Sequence, residues 1–384
     1  MRFFAIIAAL LIGIASILYR VQLIDFATTL HPALTTFFSA ASNSSLATAV
    51  TTTLQTNPTS VSNANSPFYT PDQQDYKLAM SVHRAIRKVF LAVEQAEGQG
   101  ARVRRSVGTP ALRNFSPFLM LDHFSIKPPA GFPDHPHRGQ ETITYLINGG
   151  VDHEDFAGNK GTINSGDLQF MTAGRGIVHA EMPRDNPDGS ANIGLQLWVD
   201  LPEKLKACEP RYRDLRASEI PSTDEIDEGR VSVKVISGQS HGIDSVKDLA
   251  YTPVWILDFT IRPGGQVTQP LPQGWNAFAY VLEGEVRVGE DSVAGKPVKQ
   301  YNNVVFEPEG DMVRINAAPD ASGDARIILI AGSPLDQEVV QYGPFVLTSK
   351  EDVYQALFDY QSHTNGFERA KDWQSDISKA LKAG

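Results

Sequence analysis

Short runs of β-branched and aromatic residues, separated by Gly, Asp and Asn, divide the chain between residues 88 and 330. Residues 141–147, 254–261 and 325–330 are examples, and the first of them ends at Asn148-Gly-Gly. Short strand-like runs that end at turn-forming residues are typical of sandwiches and barrels. The pattern therefore predicts an all-β fold, with helices only after Pro344.

The second half of this region repeats the first. Tyr145-Leu-Ile-Asn-Gly-Gly matches Tyr280-Val-Leu-Glu-Gly-Glu, and Gly166-Asp-Leu-Gln-Phe matches Asn302-Asn-Val-Val-Phe. Self-similarity of this kind indicates a duplicated structural unit. We therefore expect two β-barrels, one in residues 83–215 and the other in residues 216–384.

The chain after Pro344 carries helix signals. Thr348 and Ser349 precede Glu351 and Asp352 by three residues, which is the spacing of a capping box. Apolar residues then recur at helical intervals. A capped helix is predicted here, and a second short helix is predicted over 372–381.

The first 80 residues differ from the rest. Residues 3–19 form an uncharged apolar run between Arg2 and Arg20. Its length is slightly below that of a usual membrane-spanning helix, which is about 20 residues. A signal anchor within residues 1–30 is favoured, and a cleaved signal peptide is the alternative. Residues 31–82 are rich in Ser and Thr and predict a disordered linker. Initiation at Met80 would remove the anchor.

Composition excludes several classes of function. The single cysteine, Cys208, rules out an intrachain disulfide and a cysteine metal cluster. The net charge of -10 does not suit a chain built to neutralise phosphates, so direct nucleic-acid binding is not expected. Arg102, Arg104 and Arg105 form a local basic patch, for which a solvated charged turn is the expected explanation.

Two pairs of polar residues carry the functional signal. His135 and His137 are two residues apart, as are His179 and Glu181. Side chains two apart on a strand point to the same face, so the two pairs can meet inside a barrel. Three imidazoles and one carboxylate suit a divalent first-row metal and leave positions open on an octahedral ion.

Other candidates are weaker. His153 and His241 are expected to be hydrogen-bonded residues without a metal. Glu141 follows the first histidine pair and is expected to orient a ligand imidazole, because it competes with Glu181 for the ligand role. In the second half, Gln269-Pro-Leu271 and at best Glu307-Pro-Glu309 stand at the matching places. No metal site is expected there.

Several motifs together resemble the pirin family of bicupins. They are His135-Pro-His-Arg-Gly, Gly166-Asp-Leu-Gln-Phe-Met-Thr-Ala-Gly-Arg-Gly-Ile-Val-His-Ala-Glu-Met-Pro, Leu195-Gln-Leu-Trp-Val and Asn365-Gly-Phe-Glu-Arg-Ala-Lys. The resemblance runs from about residue 88 to the C-terminus. It implies one non-haem iron per chain, held by His135, His137, His179 and Glu181.

The same resemblance implies two activities. One is quercetin 2,3-dioxygenase activity on a flavonol-like substrate. In such a reaction no residue stands out as a separate base, unless Glu181 or Glu141 doubles as one. The other is an iron-redox-sensing role as a nuclear cofactor for transcription factors, with the basic surface near Arg102 responding to the iron. A cytoplasmic or nuclear location is implied, with membrane anchoring through residues 3–19 as the alternative. The expected oligomeric state is a monomer, although the sequence leaves this open.

Overall fold

The computed structural model describes residues 81–247, 249–289, 295 and 297–379. The predicted all-β fold is confirmed. In the first half the strands are β1 (Ile86–Leu91), β2 (Glu94–Glu97), β3 (Ala101–Val107), β4 (Phe118–Ile126), β5 (Phe132–His137), β6 (Gln140–Asn148), β7 (Gly150–Asp155), β8 (Lys160–Asn164), β9 (Leu168–Thr172), β10 (Ile177–Pro183), β11 (Asn192–Asp200) and β12 (Arg211–Leu215).

In the second half the strands are β13 (Ser222–Ile226), β14 (Val231–Ser237), β15 (Gln239–Ser240), β16 (Ile243–Asp244), β17 (Val254–Ile261), β18 (Gln266–Pro270), β19 (Asn276–Glu283), β20 (Glu285–Val288), β21 (Val298–Lys299), β22 (Asn302–Phe306), β23 (Met312–Asn316), β24 (Ala325–Gly332), β25 (Val340–Tyr342) and β26 (Phe345–Leu347). Short 3-10 helices cover Glu203–Leu205, Ala217–Glu219 and Glu368–Ala370.

The strands form two barrels with the same plan. The first barrel pairs a seven-stranded sheet, in the order β12-β9-β6-β11-β4-β3-β2, with a four-stranded sheet, β5-β10-β7-β8. The second pairs β1-β22-β19-β24-β17-β14-β13 with β18-β23-β20-β21. Equivalent strands hold equivalent places in the two orders, which supports the duplication seen in the sequence.

One strand departs from the expected division of the chain. β1 lies in the range assigned to the first barrel, but it pairs with β22 in the second, where Val89 faces Val304. It occupies the edge position that β12 occupies beside β9 in the first barrel. The chain therefore begins its described part in the second barrel and then builds the first.

The two seven-stranded sheets pack against each other. One buried cluster contains residues of both, and Phe118 and Phe278 meet edge to face in it with ring centroids 5.2 Å apart. Full burial of a phenylalanine contributes about 1.5–3 kcal/mol. Tyr145 also donates a hydrogen bond of 2.8 Å to the buried carboxylate of Asp258 across this contact. The outward faces of the large sheets thus join the barrels.

The C-terminal helix, Lys350–Ser362, begins as predicted. Ser349 caps it by accepting a hydrogen bond of 3.0 Å from the Asp352 amide, and the chain turns left-handed at His363, where φ is 55°. Its buried face packs with Val178 of β10 in the first barrel and with Phe345 of β26. The C-terminal segment therefore covers the barrel that carries both predicted residue pairs.

The second C-terminal helix is wrong for residues 372–378, which are not helical. Ser378 donates a hydrogen bond of 2.7 Å to Asp134, and the Asp376 amide donates one of 2.8 Å to Glu154. These contacts hold the tail against the first barrel in an irregular path. The last residues of the predicted helix, 380–381, lie outside the described part.

The predicted anchor and all but the last two residues of the predicted linker lie outside the described residues. No helix among the residues that are described is long and apolar enough to cross a membrane.

Candidate metal centre

β5 and β10 bring three histidines together. The two strands are antiparallel neighbours, with His135 opposite His179 and His137 opposite Ile177. The ring nitrogens of His135, His137 and His179 that could bind a metal all lie within 4.8 Å of one another. His137 and His179 are buried, and His135 is half-buried. We call these three residues the histidine cluster.

The spacing of the nitrogens fits a metal. His135 Nε2 lies 3.0 Å from His179 Nε2, and two ligands bound at right angles through bonds of about 2.1 Å are about 3 Å apart. His137 Nε2 is buried and has no hydrogen-bond partner among the described residues. A buried ring nitrogen without a partner is costly in a protein interior. Bound metal would satisfy it.

The outer nitrogens of the three rings have different partners. His135 Nδ1 lies 2.9 Å from the carbonyl oxygen of Pro133, which can only accept, so Nδ1 carries the proton and Nε2 has the free lone pair. His179 Nδ1 lies 3.2 Å from the Tyr212 hydroxyl, which can donate or accept. His137 Nδ1 lies 2.8 Å from Gln140 Nε2.

Sequence reasoning missed Gln140 and Tyr212. Tyr212 comes from β12, far along the chain from His179, and no local pattern marks it. Gln140 follows His137 by three residues, across the turn between β5 and β6. Its place three residues after His137, across a short turn, was the sequence signal that could have identified it.

Burial favours the neutral form of His137 and His179. Loss of solvent disfavours the imidazolium form and lowers the pKa of His137 and His179 well below the usual value. Neighbouring histidines lower both values further. Neutral imidazole is the form that binds metals, so both rings are in the charge state that coordination requires.

Glu181 lies beside the cluster. The pairing of β10 with β5 is irregular between His179 and Glu181. The Glu181 carboxylate accepts a hydrogen bond of 2.8 Å from Gln196 Nε2 and one of 3.2 Å from Thr144 Oγ1. It is outside the group of atoms within 4.8 Å, but it shares with His135 the wall of an adjoining cavity.

Glu141 does not orient a histidine, and that expectation is wrong. Its buried carboxylate accepts a hydrogen bond of 2.7 Å from Thr172 Oγ1 and bonds of 3.2 Å from the amides of Tyr251 and Thr252. Burial raises the pKa of Glu141, although these hydrogen bonds oppose the shift. The residue ties β6 to the segment that leads into β17.

A cavity of about 530 Å³ opens next to the cluster. Its apolar lining is formed by Val103, Leu119, Met120, Phe124, Phe132 and Trp198. His135 and Glu181 are among its polar lining groups, and so is the ion-paired group of Arg105, Asp122 and Glu97. Its volume and mostly apolar lining are those of a small-molecule site.

The arginine patch is neutralised by neighbouring acids. Arg102 and Arg104 both pair with Glu94, at 2.8 Å and 3.2 Å. Arg105 pairs with Asp122 at 2.7 Å. The patch is thus a set of ion pairs on β2, β3 and β4, which differs from the expected solvated turn.

The remaining candidates have structural partners. His153 is buried and lies 3.0 Å from Asp214, and His241 lies 2.9 Å from the Ser240 hydroxyl, as expected for hydrogen-bonded histidines. Cys208 is a half-buried free thiol whose pKa is raised by burial. A raised pKa favours the unreactive thiol form.

The second barrel has different residues at the matching places. Gln269 on β18 faces Val313 on β23, as His135 faces His179. The counterpart of His179 is therefore Val313, and the expected alignment with Glu307 and Glu309 is wrong because both precede β23. By the same register Leu271 matches His137 and Ile315 matches Glu181, and both are buried.

Comparison with known proteins agrees with this architecture. Residues 100–199 match the Pirin family and residues 256–366 match the Pirin C-terminal cupin domain. A pirin-like protein of Solanum lycopersicum is 48% identical over 293 residues, 76% of this chain and 96% of that protein. Pirin of Homo sapiens is 48% identical over 296 residues, 76% of this chain and 98% of that protein.

A solved structure extends the comparison. A quercetin 2,3-dioxygenase from Acinetobacter baumannii is 28% identical with a TM-score of 0.66, and the match covers 73% of this chain and 98% of that one. The fold is therefore that of two cupin barrels, and the histidine cluster occupies the first. With nearly the full length of its curated relatives matched at this identity, the chain belongs to the pirin family.

Proposed function

We propose that the protein is an iron-dependent dioxygenase of the quercetin 2,3-dioxygenase type, acting with O2 on a flavonol-like chelating substrate. The observation that carries the proposal is the histidine cluster, whose His135 lines a mostly apolar cavity of about 530 Å³. Likeness to the bacterial quercetin 2,3-dioxygenase supports the reaction class.

His135, His137 and His179 would hold the metal through their Nε2 atoms. Glu181 would be the fourth ligand, and its carboxylate is fixed by hydrogen bonds from Gln196 and Thr144. A bound iron supplies Lewis acidity and electrons for O2 chemistry. With four protein ligands, the metal would still have room to bind small molecules.

The cavity residues bind and orient the substrate. Phe124, Phe132 and Trp198 offer aromatic surface to a flat ring system and exclude water. Glu181 faces the same space and is placed to take the proton of a substrate hydroxyl as a general base. Asp122 and Glu97 provide acceptors for further hydroxyl groups, with Arg105 holding both carboxylates in place.

Anaerobic loading with iron(II), followed by quercetin and then O2, tests this proposal. We expect loss of the flavonol absorbance with matching O2 uptake, and no turnover by His137→Ala. Leu271→Ala, at the matching place in the second barrel, is the control and should keep the activity. Iron-loaded protein that leaves quercetin unchanged would refute the dioxygenase assignment.

The alternative function is an iron-redox-sensing binding module for a transcription-factor protein, without significant catalysis. The position of Arg105 favours this function. Arg105 lines the cavity beside His135 and also adjoins the surface that carries Arg102 and Arg104, so it could link the metal to that surface. The pairing of these arginines with Glu94, Glu97 and Asp122 weakens their use as a free basic surface. Equal partner affinity in the ferrous and ferric states would exclude this role.

The remaining expectations stay predictions. We expect that the protein does not bind nucleic acid directly and that it is a monomer. We also expect a cytoplasmic or nuclear location, with membrane anchoring through residues 3–19 as the alternative.

A further inference from the structure

Gln140 is a fully buried amide at the start of β6, beside the histidine cluster. Its Nε2 lies 2.8 Å from His137 Nδ1 and 3.3 Å from the carbonyl oxygen of Pro344. Its Oε1 is buried and has no hydrogen-bond partner among the described residues. An unpaired buried polar atom costs about 1–3 kcal/mol. Folding alone therefore does not favour a glutamine at this position.

The contact with Gln140 decides where the proton of His137 lies. An amide NH2 group can only donate, so His137 Nδ1 accepts and the ring proton is on Nε2. That nitrogen points to the cluster, and when protonated it has no lone pair for a metal. Gln140 therefore holds His137 in the tautomer that cannot coordinate through Nε2.

We propose that the Gln140 amide has two positions and that they set the tautomer of His137 and the metal affinity of the histidine cluster. The inference rests on the metal site of the proposed function. Rotation of the amide by half a turn exchanges Oε1 and Nε2. Gln140 Oε1 then accepts a hydrogen bond from the Nδ1–H of His137, and the Nε2 atom of His137 is free to coordinate. The ring proton moves from Nε2 to Nδ1, so no net proton is gained or lost.

Pro344 opposes this rotation. In the position observed, its carbonyl oxygen accepts from the Gln140 NH2 group. After rotation the same oxygen would face Oε1, and two acceptors repel. Pro344 lies between β25 and β26 and also lines the cavity. The C-terminal segment thus biases the amide against metal binding, and a metal must overcome this bias.

The other two histidines need no such movement. The Pro133 carbonyl already fixes His135 in the coordinating tautomer, and the Tyr212 hydroxyl can accept from or donate to His179 without moving. Gln140 is the partner whose chemistry requires a rearrangement. It acts through His137 and is a positioning residue.

The test reads the tautomer directly in the full-length, metal-free protein by long-range ¹H–¹⁵N NMR of the histidine rings. Wild type should show the proton of His137 on Nε2. Gln140→Glu should show it on Nδ1, because a carboxylate can only accept, and Gln140→Met should show both forms. Gln169→Met is the matched control, since Gln169 is also a buried glutamine on the next strand, β9.

Wild type with the proton on Nδ1, or variants of Gln140 that leave the tautomer unchanged, would overturn the proposal. Circular dichroism reports whether each variant folds, and Gln140→Met keeps the test decisive if the buried carboxylate prevents folding of Gln140→Glu. These results do not require a metal to bind.

Titration with Co²⁺, followed by its visible absorption, measures the second part of the proposal. Gln140→Glu should bind about 10-fold more tightly than wild type, the lower end of the range for partners of metal ligands. Gln169→Met should bind as wild type does. A changed tautomer with unchanged affinity would refute the link between them, whereas failure of wild type to bind any metal would refute the proposed function instead.

Discussion

Gln140 and Glu141 are adjacent on β6 but serve different parts of the molecule. Successive side chains on a strand point to opposite faces, so Gln140 faces the histidine cluster and Glu141 faces Thr172 and the segment at Tyr251. Residue type and spacing favoured Glu141 as the partner of a histidine. They failed because the face of a residue depends on the register of its strand, which the local sequence does not determine.

Glu141→Gln should destabilise the fold without affecting the metal. The amide would place an NH2 group against the backbone donors of Tyr251 and Thr252, which costs about 1–3 kcal/mol. Denaturant unfolding measures the loss, and metal analysis of the folded variant should match wild type. Loss of metal from a variant that remains folded would restore Glu141 to the site.

Glu181→Gln should weaken metal binding while the fold is retained. The glutamine has nearly the same shape and can still accept from Gln196, but it replaces an anionic ligand by a neutral one. We expect affinity for iron(II) to fall at least about 10-fold, since even residues outside the ligand set have effects of that size. Competition with a chelator measures the affinity for iron(II). Thr144→Val removes one hydrogen bond to Glu181 but keeps the carboxylate, so it shows how much of the loss is due to hydrogen bonding alone. Unchanged affinity would exclude Glu181 as a ligand.

At the scale of elements, local sequence signals predicted the strands and the start of the C-terminal helix. They could not predict which strands pair with each other. The Ser349 cap acts within a few residues, so its sequence pattern is sufficient. The partner of β1 is β22, more than 200 residues later, and no local pattern specifies such a pairing. The tail at 372–378 lost its predicted helix to contacts with Asp134 and Glu154, which lie in the other half of the chain.

The C-terminal helix is attached to the site by a buried ion pair. Arg138 follows His137, and its Nη1 donates a hydrogen bond of 2.8 Å to Asp359 Oδ2 on the helix. Its guanidinium also lies 4.7 Å from the ring centroid of Phe367. Removal of one partner of a buried pair costs about 3–5 kcal/mol. Asp359→Ala should therefore lower the free energy of unfolding by about that amount. Asp352→Ala, which removes the acceptor of the Ser349 hydroxyl in the exposed first turn of the helix, should cost only about 0.3–1 kcal/mol.

The same pair should give a pH dependence in acid. Burial opposes ionisation of Asp359, but hydrogen bonds from Arg138, Asn365 and Gln355 outweigh it and lower the pKa of the carboxyl. A lowered pKa in the folded state stabilises the protein above the unfolded value of about 4. This contribution is lost as the pH falls through the folded pKa. Unfolding measured from pH 7 to pH 2 should show a shallower acid loss for Asp359→Asn, and parallel curves would contradict the assignment.

At the scale of the whole molecule, the two barrels share one architecture but differ in the residues at the places that match the histidine cluster. The internal sequence repeat located two of these differences, Gln269 and Leu271. Only strand pairing identified Val313 and Ile315 as the other two counterparts, because the connections before β10 and β23 differ in length. The side chains of Leu271, Val313 and Ile315 are apolar and buried. They offer a metal neither a nitrogen nor a carboxylate ligand.

The molecule should therefore bind one metal per chain, in the first barrel. His137→Ala should remove most of it, because the substitution takes away a central ligand and the second barrel has no substitute set among its described residues. Leu271→Ala makes the matching truncation in the second barrel and should cost about 2–5 kcal/mol of stability with the metal retained. Elemental analysis of gel-filtered, reconstituted proteins gives the ratio. A wild-type ratio of two, or equal metal in wild type and His137→Ala, would contradict a single site built on the histidine cluster.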